Sequence, residues 1–188
     1  MCGIAMINVN DYPLFSSNRS TLKETSKDDS NTEYMTESEI EVINFDKVKE
    51  GYVKELSAKG ATSLDALAVF EDRLELIEFK NGCVRNELKN VEDKIRDSLL
   101  LFCDIMEKNI TYTREHVDFI LVYNESKNKE KDCHNSQVPE EREAISSHLF
   151  EKAREEKIRF RLDKFKKLYF RNVHTYTEQQ FKTHLGEA

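Results

Sequence analysis

Residues 64–82, LDALAVFEDRLELIEFKNG, decide how the rest of the chain is read. Short aliphatic runs flank the charged pair Glu71-Asp72, a pattern that predicts a hairpin with one strand over 64–70 and a second over 73–80. With the turn centred between Glu71 and Asp72, Val69 faces Leu74, Leu67 faces Leu76 and Asp65 faces Glu78. Side chains alternate along a strand, so Asp65, Leu67, Val69, Leu74, Leu76, Glu78 and Lys80 share one face. Opposed β-carbons lie roughly 5 Å apart, and two carboxylates at that spacing repel unless a positive charge stands between them. Asp65, Glu78 and Lys80 are therefore either the working parts of a site or ordinary residues of an exposed strand face. The four aliphatic neighbours on the same face favour burial.

A divalent cation suits that gap. Mg²⁺ takes hard oxygen ligands, often only one or two carboxylates, and completes its octahedron with water and substrate phosphate. Lys80, on the same face, would orient or deprotonate an attacking water and stabilise charge developing on phosphorus. An aspartate on one strand and a Glu78-Phe79-Lys80 element on the next, after an N-terminal helix, resembles the PD-(D/E)XK nuclease superfamily. The wider resemblance is to its bacterial members. It covers about residues 45–125 as helix, hairpin, helix and strand, and departs from the pattern at Leu64, which stands where the name-giving proline would be. The resemblance implies an α/β fold with a restriction-endonuclease-like core, a mixed central sheet flanked by helices. It implies phosphodiester hydrolysis of DNA or RNA, Mg²⁺ or Mn²⁺ as cofactor, Asp65 and Glu78 as metal ligands, and Asp65, Glu78 and Lys80 as the catalytic set. A further carboxylate from the first helix is expected, Glu55 or Glu50, and the helix after Glu-x-Lys is expected to lean Lys94 toward the phosphate.

Outward from the hairpin, Thr36-Glu37-Ser38-Glu39 has capping-box spacing, and Ile40, Ile43, Val48, Tyr52, Val53 and Leu56 recur at mostly helical steps, which predicts a helix ending near Gly60. Downstream, Leu88, Val91, Ile95, Leu99 and Phe102 make the apolar stripe of a helix over 86–106. Phe119 to Tyr123 reads as a central strand covered on both faces, parallel to the second hairpin strand because a helix intervenes. A polar loop over 124–139, a helix over 141–157, a half-exposed strand over 158–162, a helix over 164–170 and a short extended stretch over 173–176 follow. Thr177-Glu178-Gln179-Gln180 again has capping-box spacing, for a last helix carrying Phe181 and Leu185.

Residues 1–35, rich in Ser, Thr, Asn, Asp and Lys without periodicity, are expected to form a flexible acidic segment ahead of a single domain over 36–188. The opening MCGIA resembles that of the N-terminal-nucleophile glutamine amidotransferases, but none of their arginine and asparagine-glycine elements follow. The net charge of −7 is carried mainly by residues 1–50, with 5 basic and 10 acidic side chains. Residues 151–172 instead hold 9 basic against 4 acidic side chains, which makes Arg159, Arg161, Lys164 and Lys167 candidates for contact with nucleic acid. Overall acidity equally suits a second reading, a catalytically inactive member of the fold that binds a basic protein partner, such as a toxin-immunity or phage-defence accessory protein. Four cysteines without paired spacing, at 2, 83, 103 and 133, argue against a disulfide framework or a zinc ribbon. Apolar runs such as 99–103 fall far short of the roughly 20 residues a membrane span needs. With no secretory signal pattern at the start, a cytoplasmic location is expected.

Overall fold

The computed structural model describes residues 8, 11–28, 32–129 and 157–187. Six strands form one mixed sheet: β1 (Arg19–Thr21), β4 (Glu41–Asn44), β5 (Ala66–Val69), β6 (Leu74–Lys80), β7 (Val117–Tyr123) and β8 (Asn172–Thr177), side by side in that order. The first four pair antiparallel, and β6, β7 and β8 run parallel. A separate two-stranded ribbon joins β2 (Lys27–Asp28) to β3 (Glu33–Tyr34).

The hairpin has the expected register. Val69 pairs with Leu74 and Leu67 with Leu76, and the Phe70 N–H donates to the Arg73 carbonyl to close the turn. Alternation sorts the two faces of the sheet. Leu67, Leu74, Leu76, Phe119 and Leu121 pack beneath helix α4 (Val84–Ile105), through its buried Val91, Ile95, Leu99 and Phe102. Ala66, Ala68, Ile77, Phe79, Ile120 and Val122 pack on the other side, against Phe181 of the C-terminal helix α6 (Glu178–His184). Thr177 caps α6 with both halves of the predicted capping box. Reached through α4 and the short helix α5 (Ile110–His116), β7 is buried along its whole length and parallel to β6, a pairing that requires such a crossover.

Three expectations are corrected. Residues 11–28 are built into the fold. Helix α1 (Pro13–Ser16) sends Phe15 into the core within ring contact of Phe45 and Phe102, β1 extends the sheet beside β4, and helix α2 (Leu22–Thr25) buries Leu22. Phe15 ends a short apolar run, Tyr12-Pro13-Leu14-Phe15, and Leu22 stands alone in polar sequence, so no periodicity announces them. Nor does the first long helix begin after Thr36. Residues 41–44 form β4, and helix α3 (Phe45–Glu55) starts only where Asn44 caps it by accepting the Lys47 N–H. The Thr36 hydroxyl instead accepts the Ser38 N–H in a local turn. Val42 and Ile43 are both buried, on opposite faces of the sheet, and that two-sided burial favours a strand over the helical phase. Finally, 158–162 is not a strand and 164–170 is not an α-helix. Phe160 and Arg161 adopt consecutive left-handed conformations (φ 60° and 57°), and a 3-10 turn covers Leu162–Phe165. The helix expected over 141–157 falls almost wholly outside the described residues.

Candidate active site at the Asp65–Glu78 pair

Asp65 stands where three elements meet. Its N–H donates to the Ile77 carbonyl, its carbonyl accepts the N–H of Phe45 at the start of α3, and its Oδ2 accepts the Phe79 N–H at 2.6 Å. The carboxylate thus takes the place of a backbone acceptor at the end of the β5–β6 ladder, which fixes the side chain's orientation. The approach to β5 is tied to α4 as well. Asp97 accepts both the N–H and the hydroxyl of Thr62, and Ser98 accepts the buried Leu64 N–H at 2.7 Å.

Glu78 is fully buried on the α4 face of β6. Lys94 reaches down from α4 between the two acids, with its ammonium 2.8 and 3.0 Å from the Glu78 oxygens and 3.2 Å from Asp65 Oδ1. Helical phase explains the placement, since Val91, Lys94 and Ser98 follow at three- and four-residue steps and so share the buried face. Asp65 and Glu78 are therefore brought together around one cation, and the side chain expected beside a phosphate bridges them itself.

Lys80 lies at the edge of this group. Its ammonium is 2.7 Å from Glu87 Oε2 and 3.6 Å from Glu78 Oε1, so most of its charge is directed to α4. Glu55 does not join: it lines a separate groove with Tyr12, Leu14, Tyr52 and Ile105 at the far end of α3, and Glu50 is exposed. The helix carboxylate nearest the site is Asp46, in the first turn of α3, held by the Ser63 hydroxyl at 2.5 Å. Asp46 was not legible because α3 was expected to start earlier. With the true N-cap at Asn44, an acid in the first turn is what the helix dipole favours.

Asp46, Asp65, Lys80 and Glu87 open onto a polar cleft of about 570 Å³, lined also by Glu24, Lys27, Asp28 and Lys127. Five carboxylates face three ammoniums there. The charge balance shows in the titration of the pair. Burial, then the Asp65 charge, push the Glu78 carboxyl up to about 8, only partly offset by Lys94. Burial also raises Asp65, with Lys94 and the Phe79 N–H pulling the other way and Asp46 adding to the rise. Lys94 is held above the ordinary lysine value by the two carboxylates, despite burial. Two acids and one ammonium thus retain a proton at neutral pH.

The four basic candidates do not line this cleft. Arg159 hydrogen-bonds the Tyr123 hydroxyl (2.7 Å) and the Asn128 carbonyl (2.9 Å) and lies over the Tyr123 ring. With Arg161, Lys157 and Arg85 it lines a second groove of about 520 Å³ against the start of α4. Lys164 pairs with Glu92, and Lys167 is exposed in a left-handed conformation.

No family model matches the sequence, and no curated protein or solved structure is significantly similar to it. Among the described residues no helix is long and apolar enough to cross a membrane, and no set of three or more His, Cys, Asp or Glu side chains converges as a metal centre.

Proposed function

We propose that this chain is a metal-dependent phosphodiester hydrolase of the PD-(D/E)XK type, acting on DNA or RNA in the cytoplasm. One observation carries the reading: oxygens of Asp65 and Glu78 lie within 3.2 Å of the same positive charge, so a single ion at that position is reachable by both. Helix, antiparallel hairpin, helix and parallel strand follow in the order expected of a restriction-endonuclease-like core, which supports the same reading.

The donor set fits Mg²⁺ or Mn²⁺. Two hard carboxylates are within what Mg²⁺ accepts from protein, and the adjoining polar cleft leaves room for water and a phosphate. A bound dication would supply Lewis acidity and a water of lowered pKa. This chain's own residues do the rest. Asp65 and Glu78 would hold the ion, with Asp65 kept in orientation by the Phe79 N–H. Lys80, on the Glu78 side of the cleft, positions the attacking water and offers positive charge to the phosphoryl oxygens as the P–O bond breaks. Arg159 and Arg161 would contact the strand beyond the scissile bond, through the groove beside α4.

The test is cleavage of single- and double-stranded DNA and RNA with Mg²⁺ or Mn²⁺. Asp65→Asn, Glu78→Gln and Lys80→Ala should each lose at least about a hundredfold, the scale of removing a positioned catalytic group. Cleavage equal in wild type and all three variants would place the activity elsewhere. A second reading, an inactive scaffold binding a basic protein, is favoured by Lys94 standing in the cation position and by the acidic lining of the cleft. Saturable Mn²⁺ binding that Asp65→Asn abolishes separates the two.

A further inference from the structure

Lys94 sits in the seat that a metal would need. Its ammonium makes three hydrogen bonds, all to Asp65 and Glu78, at 2.8 to 3.2 Å, and its side chain is only 18% exposed. That is the separation at which an ammonium saturates a carboxylate pair, and it leaves no gap for a second cation. The other nearby ammonium is differently employed: Lys80 is 3.6 Å from Glu78 and takes Glu87 as its close partner.

We infer that Lys94 is a tethered competing cation, which neutralises the Asp65–Glu78 pair when no metal is present and must leave its seat for a divalent ion to enter. The inference rests on the hydrolase reading and adds the regulation of that site. Three consequences follow. Metal loading replaces the ammonium between the two carboxylates by the dication, so they are not left facing each other without a cation. The affinity observed for the metal is the intrinsic affinity reduced by the cost of unseating Lys94. The free divalent concentration needed for half-occupancy is therefore raised by a factor set by this one side chain, in the way that any competing occupant weakens apparent binding.

Direct Mn²⁺ titration, followed by the loss of the free-ion electron paramagnetic resonance signal, tests this without any substrate. Lys94→Met keeps the length of the side chain and removes its charge. It should bind Mn²⁺ at least about tenfold more tightly than wild type, the low end of the coupling found between close charge pairs. Lys89→Met, which removes a charge of the same sign from the exposed side of the same helix, should change affinity less than about threefold. If Lys94→Met binds no more tightly than wild type, or if Lys89→Met tightens binding equally, Lys94 is not the competitor, and the metal reading survives without it. If neither wild type nor Lys94→Met binds Mn²⁺, the hydrolase reading fails and this inference with it.

Because Lys94→Met leaves two buried acids without their counter-ion and could fold poorly, a wild-type measurement stands beside it. Reductive methylation by formaldehyde and borohydride, read at Lys94 by peptide mass, should speed up severalfold at saturating Mg²⁺ as the amine leaves its buried seat. An unchanged or slower reaction in protein shown to bind the metal would overturn the inference.

Discussion

Replacing Glu78 by Gln should make the protein less sensitive to alkali, and the size of the effect follows from where the carboxyl titrates. In the unfolded chain Glu78 ionises near its ordinary value of 4.5, and in the fold only near about 8, because burial and the Asp65 charge oppose its ionisation. Between those values the unfolded chain has released a proton that the native protein still holds. Stability due to this group is thus fully present below about pH 4.5 and drains away as pH rises toward 8. The accumulated loss is about 1 kcal/mol at pH 5 and about 3 kcal/mol at pH 7. A glutamine has no proton to release, so Glu78→Gln escapes this drain. It gives up one charge-assisted contact with Lys94, but that loss is the same at each pH in this window and moves the offset, not the slope. Urea unfolding of both proteins at pH 5, 6, 7 and 8 isolates the slope: the stability difference should shift in favour of Glu78→Gln by about 2 kcal/mol from pH 5 to pH 7. Parallel pH profiles would mean that Glu78 is ionised throughout, and the account of two acids sharing one ammonium and a proton would be wrong.

Three further outcomes test how the site is held. Ser98→Ala removes the acceptor of the buried Leu64 N–H and should cost about 1 to 3 kcal/mol in chemical denaturation, the penalty of an orphaned buried donor. Phe15→Ala should cost about 3 to 5 kcal/mol, whereas a loosely attached N-terminal segment would lose almost nothing; thermal unfolding distinguishes the two. On the far face of the sheet, Arg171→Ala strips the bidentate partner from Asp118, which is 4% exposed, and should destabilise by about 3 to 5 kcal/mol in urea unfolding at neutral pH.

The hairpin, α4, β7 and the cap of α6 were legible because in each the local pattern and the tertiary environment agree. β5 and β6 alternate their side chains between two covered faces and are buried almost throughout, which matches a sheet with helices on both sides, and the stripe on α4 is the face that covers one of them. Where the two disagree, the pattern misleads. Ile40, Ile43 and Val48 satisfy a helical phase, yet residues 41–44 form a strand because β1 and β5 flank them on either side. β1 is three polar residues long and exists only through its pairing with β4. Phe160, Arg161 and Lys167 take left-handed backbone that nothing in a non-glycine sequence announces. In the site, the carboxylate pair could be read from the hairpin register alone, whereas the reach of Lys94 across the α4–β6 interface is a tertiary fact. Its only trace in the sequence is that Lys94 and Ser98 share a helical face with Val91.

The sheet carries two other buried acids, and comparison with them locates the charge imbalance. Glu75 and Asp118, on the face opposite Glu78, each have a guanidinium of their own: Arg73 at 2.6 Å from Glu75 and Arg171 at 2.7 Å from Asp118. Each acid there meets one cation, and His184 adds a further contact to Glu75. On the α4 face, among the described residues, Asp65, Glu78 and Glu87 pair with Lys94 and Lys80 alone, with Asp46 contributing a further acid at the mouth of the cleft. A chain selected for stability alone gains nothing from this arrangement, since apolar residues like the neighbouring Leu67 and Leu76 would fill the same volume without desolvating a charge. Stability is given up at one spot, and that spot adjoins a polar cleft, has two carboxylates oriented by backbone and lysine contacts, and is short of positive charge. Such a place attracts a further cation, and a divalent ion that displaces Lys94 would remove the deficit in one step.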